Sequence, residues 1–311
     1  MQRILEPGEI ESLDRTSLPR VRLPQPQSLF SDRAARLAQL ADGNPIGDYL
    51  RFLSRLVKAQ QVAAGTVRTS SIDEAAIRRA NEHGMPLVQA ASQIDPAWLG
   101  VLDGLLDALE ADEGLPQPLA PVLQRLRALS PDEREHLARR VLAGLVTEAE
   151  DLAAAPIVVA AVQVVFADQA SHLKEDEVPY ADPATICPVC GTPPTVSVLR
   201  IGGREAGLRY LHCGTCCTEW HMVRVKCSHC ESTKQVRYQS VQDSGDVVVA
   251  ETCGVCHTYR KLVNQEKDPL AEPLADDLGS LLLDLLMGET DFARATLNPL
   301  LPMSDGAAPS P

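Results

Sequence analysis

The sequence predicts a multidomain protein: an all-α helical bundle, two small tandem β modules with four cysteines each, and a C-terminal helix. Apolar residues recur at helical spacing through the first 186 residues, which contain no cysteine. All nine cysteines lie between Cys187 and Cys256, among short β-branched segments that are typical of strands. The helical pattern returns at 273–288, which predicts the final helix.

The helical bundle is predicted from amphipathic spacing and from helix start signals. Residues 47–60 place four aliphatic side chains on one helical face. Ser71 with Glu74, and Ser130 with Glu133, fit the capping box, in which a side chain satisfies a free backbone N–H of the first turn. With the Pro-rich joints between them, such signals predict about seven helices in this part of the chain.

The longest apolar run, Ala155–Ala167, is predicted to be a buried helix. A membrane-spanning helix needs about 20 apolar residues, whereas this run is shorter and contains Pro156 and Gln163. The first residues, MQRILEPGEIESLDRTSLP, lack the basic and apolar segments of a secretory signal. The sequence therefore predicts a cytoplasmic protein without membrane insertion.

Composition narrows the classes of function. The formal net charge of −13 argues against a general nucleic-acid binder, because phosphate binding needs a basic face. In a reducing cytosol, nine cysteines favour metal binding or redox chemistry over structural disulfides.

The cysteines form a tandem repeat. Eight of the nine make four C-x-x-C pairs, and the last two pairs repeat the first two at an offset of 40 residues. Each copy reads C-x2-C-x22-C-x2-C. This is close to the spacing by which two knuckles, each a cysteine pair at the tip of a strand hairpin, present four thiolates to one tetrahedral metal. The predicted metal ligands are these paired cysteines: Cys187, Cys190, Cys213, Cys216, Cys227, Cys230, Cys253 and Cys256.

Spacing leaves the pairing and the metal open. The two pairs of one repeat can share a metal, or an interleaved cross-brace can join the first pair to the third. Four thiolates in a tetrahedron suit zinc and a single iron equally, and a two-iron cluster is a further alternative. Either pairing predicts two metal sites per chain.

Other side chains near the pairs are not predicted to be ligands. Cys217 directly follows Cys216, so it should point away from the metal wherever the backbone is partly extended. We expect a small, semi-buried thiol there, with a reactive thiol as the alternative. Four histidines are expected beside the ligands or in solvent, because the cysteines complete both tetrahedra: His212, His221, His229 and His257.

These patterns divide the chain into five parts. A charged segment with two prolines at 174–185 separates the helical part from the β-rich part. The predicted limits are 1–180 for the helical domain, 181–225 and 226–268 for the two four-cysteine modules, 269–300 for the C-terminal helix, and 301–311 for a disordered tail.

The sequence resembles the formate dehydrogenase accessory protein family, FdhE. Four spaced cysteine pairs are moderately specific alone, and the segments around them make the resemblance highly specific. It is densest in CPVCG (187–191), GLRYLHCGTC (207–216), TEWHMVRVKCSHC (218–230), YRKLVNQEKDP (259–269), ADDLGSLLLDL (275–285) and NPLL (298–301), with weaker agreement in YLRFLSRLVKAQ (49–60).

The resemblance implies more than spacing does. It implies two rubredoxin-like modules after the helical region, with two mononuclear metal ions per chain, iron favoured and zinc the alternative. It implies a non-enzymatic, cytoplasmic role in maturing respiratory formate dehydrogenases through contact with their catalytic subunit. It assigns a function only to the eight paired cysteines and none to Cys217. Whether the chain forms a homodimer stays open.

Two other functions compete with an assembly factor. A zinc ribbon that binds nucleic acid is disfavoured because eight thiolates and two divalent ions leave the module near charge −1. A thiol oxidoreductase is disfavoured because reactive C-x-x-C pairs usually begin a helix, whereas these lie among short strands.

Overall fold

A computed structural model describes residues 18–242 and 245–302. The predicted disordered tail lies outside these residues except for 301 and 302. The part before the cysteines is helical, as predicted. Its helices are α1 Leu29–Leu40, α2 Gly47–Thr66, α3 Glu74–His83, α4 Trp98–Glu110, α5 Ala120–Ala128, α6 Pro131–Leu142 and α7 Ala149–Ser171.

Helix α7 is the centre of the helical region. By length and composition alone it could cross a membrane, but 78% of its most apolar window is buried inside the protein. Helices α2, α4 and α6 pack against it. The apolar run is therefore enclosed by other helices, as expected for a core helix.

One of the two predicted capping boxes is present. At the start of α6, the Glu133 N–H donates to the Ser130 hydroxyl, and the Glu133 side chain accepts from the Ser130 N–H. The box predicted at Ser71 is wrong, because α3 begins after Asp73, which makes no side-chain cap. The chain just before α3 is instead held by tertiary contacts, such as the Ser70 N–H with the Asp95 carboxylate.

The cysteine-rich part forms one sheet. Its strand order is β1-β4-β3-β2-β7-β6-β5, with β8 beside β7. Neighbours are antiparallel except for the pairs β2/β7 and β7/β8, so the parallel β2/β7 pair joins the two modules. The strands are β1 Val21–Arg22, β2 Pro194–Leu199, β3 Arg209–Cys213, β4 Glu219–His221, β5 Val236–Gln239, β6 Val248–Cys253, β7 Thr258–Asn264 and β8 Ala293–Arg294.

The C-terminal helical pattern forms two short helices, α8 Pro273–Gly279 and α9 Leu281–Met287. They separate at Ser280, whose φ of −111° and ψ of 33° are not helical. The Ser280 hydroxyl donates to the Asp276 carbonyl, and the Lys261 ammonium donates to the Ser280 carbonyl. A tertiary contact therefore interrupts a sequence that has continuous helical spacing.

Buried ion pairs hold α8 in place. Asp276 accepts a bidentate contact from Arg36 of α1, at 2.9 and 2.6 Å. Asp277 accepts from Arg294 at 2.6 and 2.7 Å and lies 3.5 Å from the Lys261 ammonium. Burial alone would raise the pKa of Asp277, but these two cations hold it below its ordinary value. The aspartates join α8 to the helical region and the sheet.

The helical region is bonded to the first module along its backbone. Strand β1 pairs with β4, which places Val21 opposite Trp220. After α3, the N–H groups of Leu87, Val88 and Ala90 donate to carbonyls of the first cysteine pair segment at 3.1, 2.9 and 3.1 Å. The first module is therefore packed inside the protein, although about 100 residues of sequence separate Leu87 from its partner and about 200 separate Val21 from Trp220.

A buried glutamine connects α7 to the first module. The Gln163 amide donates to the Gly214 carbonyl at 2.7 Å and accepts from the Gln60 amide of α2 at 3.0 Å. Both glutamines are fully buried. Because no water can replace a lost partner there, the bond from Gln163 to Gly214 fixes the knuckle against α7, and the bond from Gln60 orients Gln163.

We expect Gln163→Leu to lower the free energy of unfolding by about 1–3 kcal/mol, because it leaves the Gly214 carbonyl buried without its donor. Denaturant unfolding of metal-loaded protein measures this. The matched control, Gln124→Leu on an exposed position of α5, should stay within about 0.5 kcal/mol. Equal stability of the two variants would show that the Gln163 contact does not join helices and module.

Candidate metal centres

The structure gathers the eight paired cysteines into two groups. One group is Cys187, Cys190, Cys213 and Cys216, and the other is Cys227, Cys230, Cys253 and Cys256. Within each group all ligand atoms lie within 4.8 Å of one another. Each group therefore contains the two pairs of a single repeat. The fold does not form the interleaved cross-brace.

The sulfur spacing fits one tetrahedral ion per group. In the first group two Sγ–Sγ distances between the pairs are 3.4 Å, and in the second the equivalent two distances are 3.8 Å. Metal–sulfur bonds of about 2.3 Å in a tetrahedron would place the sulfurs about 3.8 Å apart. Both groups can therefore hold a metal ion, and four thiolates suit zinc and iron alike.

All four pairs adopt the same turn. The residue after each second cysteine has a positive φ: 75° at Gly191, 59° at Cys217, 59° at Glu231 and 54° at His257. Its N–H donates to the carbonyl of the first cysteine of its pair, at 2.9 to 3.1 Å. This turn brings both sulfurs of a pair to the same side. The 40-residue repeat in sequence is thus a repeat of backbone conformation.

The hydroxyl residue two positions after each cysteine pair was not predicted to have a role. Thr192, Thr218 and Thr258 each place Oγ1 3.1 to 3.3 Å from a cysteine sulfur. Ser232 occupies the same position in the third pair, and its carbonyl accepts from the Cys227 N–H. The pattern C-x-x-C-x-[Thr/Ser] in all four pairs is the signal that could have revealed them, and hydroxyl and N–H donors stabilise bound thiolates.

Backbone N–H groups also reach the sulfurs. Thr215 and Cys216 donate to Cys213 at 3.3 and 3.4 Å, and His229 donates to Cys227 at 3.4 Å. The glycine at 214 has a different role: a Cβ there would lie 2.3 Å from the Thr195 hydroxyl. Glycine is required because the neighbouring strand approaches closely.

The two groups differ in burial. In the first, no cysteine is more than 1% exposed. In the second, Cys230 is exposed and Cys256 is half-buried. Burial raises the pKa of Cys187, so a thiolate there needs a compensating cation. The first site is part of the protein core, whereas the second lies at an open edge.

Cys217 points away from the metal group, as expected, and lies only 4% exposed beside a cavity. Its Sγ is 3.6 Å from Nη2 of Arg33. None of the four histidines is in either cysteine group. His212 contacts Glu219 at 2.9 Å, and His257 stacks on Phe292.

His212 and Glu219 belong to a buried charged cluster beside Cys217. Burial lowers the pKa of His212, but contacts with Cys217 and Glu219 outweigh it and raise the pKa to about 9. Burial would raise the pKa of Glu219, but Arg200 and His212 hold it well below its usual range. Arg200 bonds both carboxylate oxygens of Glu219. The segment TEW, which is part of the family resemblance, therefore includes Glu219 as a structural carboxylate.

The difference in burial predicts the order of metal loss. In zinc-loaded protein, a chromogenic chelator should remove the ion of the second site at least about tenfold faster than that of the first, because reaching the first site requires opening of the core. Cys230→Ser should remove the fast phase. Its counterpart in the first repeat, Cys190→Ser, should remove the slow phase. Release of both ions in one phase, or loss of the slow phase in Cys230→Ser, would contradict the assignment.

Comparison with known proteins agrees with this architecture. Family models described as FdhE N-terminal, FdhE central domain and FdhE C-terminal domain match residues 18–182, 186–224 and 225–301.

Similar proteins cover nearly the whole chain. The Protein FdhE homolog of Cronobacter sakazakii is 37% identical over 309 residues, which is 98% of this chain and 99% of the relative. Protein FdhE of Salmonella typhimurium is 36% identical over 310 residues, with the same coverage. The crystal structure of the FdhE protein from Pseudomonas aeruginosa matches with a TM-score of 0.80 and 36% identity, over 91% of this chain and 99% of that one. This chain belongs to the FdhE family of formate dehydrogenase accessory proteins.

Proposed function

We propose that this protein is a non-enzymatic maturation factor that binds the immature catalytic subunit of a respiratory formate dehydrogenase in the cytoplasm. Membership of the FdhE family along almost the whole chain is the observation that carries the proposal. The two four-thiol groups supply a metal-stabilised surface for such an interaction.

Each four-cysteine group is proposed to hold one mononuclear ion, with iron favoured and zinc the alternative. Four cysteine sulfurs within 4.8 Å of one another support a single ion per group. Cys187, Cys190, Cys213 and Cys216 would bind the first ion. Cys227, Cys230, Cys253 and Cys256 would bind the second.

Features of the modules weigh against the competing functions. None of the four pairs begins a helix in the described residues, which is where a redox-active C-x-x-C pair is activated. Several basic side chains of the modules are buried or already paired, which leaves few of them for phosphate: Arg200, Arg209, Arg260 and Lys261 are buried or partly buried, and Lys226 contacts Glu231.

The second module offers the more accessible surface for the catalytic subunit. Strand β5 is the last strand in the sheet order, so its outer edge can accept an extended segment of the partner. Beside it lies a groove of about 630 Å³ lined by Val225 and Tyr238, which are 64% and 49% exposed. We propose that an apolar segment of the immature subunit occupies this groove.

The proposal is tested in a strain that lacks its own copy of this gene. Formate oxidation and co-purification of the catalytic subunit are scored after complementation. Wild type should restore both. Cys230→Ser should lose most of both, since three thiolates no longer complete the second site. Val225→Asp should weaken co-purification by about tenfold or more, because it replaces an exposed apolar side chain that lines the groove with a charged one.

Leu145→Asp is the matched control, since Leu145 is an exposed apolar residue of the helical region, 69% exposed, that does not line the groove. It should behave as wild type. Full formate oxidation without any copy of the gene would refute the maturation role. Tight binding of DNA or RNA by the purified protein would favour the nucleic-acid alternative instead. Co-purification from the soluble cytoplasmic fraction tests the proposed location.

A further inference from the structure

The outer edge of β5 carries backbone groups that face no other strand. The Gly254 N–H donates to the Gln235 carbonyl at 3.0 Å, and these two residues continue the register of β5 with β6. Hydrogen-bonded and non-hydrogen-bonded pairs alternate along an antiparallel ladder, so Val236 and Tyr238 direct their N–H and C=O groups away from β6. Among the described residues, β5 pairs only with β6 and accepts no backbone bond from elsewhere.

The last cysteine pair holds this edge in place. Val236 lies opposite Cys253, one of the four cysteines of the second group. The next residue is Gly254, where a Cβ would lie 2.4 Å from Oε1 of Gln235, so glycine lets the two chains approach closely. The strand edge is therefore fixed by the second metal group, in the more exposed of the two modules.

The two faces of β5 differ in chemistry. Val236 and Tyr238 line the groove beside the strand, whereas Arg237, between them, does not, as strand alternation requires. Arg237 and the nearby Lys234 are exposed, and neither makes an ion pair within residues 18–242 and 245–302. The whole chain has a net charge of −13, yet the cations at this edge are left without a counter-charge in that part of the chain. Such an edge is complementary to an acidic partner.

We propose that this edge binds an extended segment of a partner protein in which apolar and acidic residues alternate. The segment adds to the sheet as a strand beside β5. Residues directly opposite each other lie on the same face of a sheet. Residues opposite Val236 and Tyr238 therefore enter the groove and are apolar, and the residue opposite Arg237 meets the guanidinium and is Asp or Glu. This inference rests on the proposed function, because it names the kind of segment by which the immature subunit is bound.

The test measures the binding of short fluorescent peptides to full-length, metal-loaded protein by anisotropy. One peptide alternates valine with glutamate, and the other alternates valine with lysine. We expect the valine–glutamate peptide to bind about tenfold or more tightly, because lysine would place like charges opposite each other across the strands.

Two N-methylated forms of the valine–glutamate peptide test strand addition itself. One is methylated at every valine nitrogen and the other at every glutamate nitrogen. Alternate N–H groups of a strand face the same neighbour, so only one of the two forms should lose binding, by about tenfold or more. Binding through charge alone would treat both forms equally.

Two charge-reversal variants locate the site. Arg237→Glu should abolish or reverse the preference for the glutamate peptide. Arg79→Glu is the matched control, since Arg79 is an exposed residue of α3 that makes no ion pair among the described residues. It should bind both peptides as wild type does.

Equal affinity for the two charged peptides, or an equal loss for the two methylated forms, would overturn the proposal. A dimer of the free protein that Arg237→Glu dissociates, with no peptide bound, would assign the edge to a second copy instead. Failure of the maturation role has a different signature. If the peptides show no preference but the gene is needed for formate oxidation, the maturation role stands and this docking surface does not.

Discussion

The buried four-thiol group of the first module is the constraint on which the rest of the structure depends. Its sulfurs lie 3.4 Å apart in pairs, with essentially no solvent contact. Four thiolates in such a place repel one another and are poorly solvated, so the thiolate form requires a cation between them. The surrounding chain holds the two knuckles in the positions in which one cation can bind all four sulfurs. The supports are strand β1, the segment after α3, and Gln163 of α7.

The second module is built on the same turn but supported differently. Its own apolar core contains few buried residues, among them Ala250, Tyr259, Leu283 and Met287. The ion pairs around Asp277 hold α8 and β8 against it. A module with such a small core depends on its metal for stability, and its exposed knuckle leaves that metal near the surface. One repeat is thus enclosed by the rest of the protein, and the other has Cys230 exposed and Cys256 half-buried at the surface.

Local patterns were enough to predict much of this protein. The eight cysteines, the change from helices to strands and the Ser130 capping box follow from spacing over a few residues. The Thr or Ser two positions after each pair is also present in the sequence, but its contact with sulfur depends on the turn that brings the two together. The roles of Leu87, Val88 and Asp277 were not predictable, because each depends on a partner far along the chain. No cysteine precedes Cys187, yet the backbone of the helical part bonds directly to the first knuckle.

Hydrogen exchange of metal-loaded and metal-free protein tests most directly whether the first metal group joins the two parts. Metal removal should abolish amide protection not only across 187–216 but also at Leu87, Val88 and Ala90, whose N–H groups bond to the first knuckle. Protection in the middle of α7 should persist, because that helix is enclosed by other helices. Unchanged protection at Leu87, Val88 and Ala90 after loss of both metals would contradict the account.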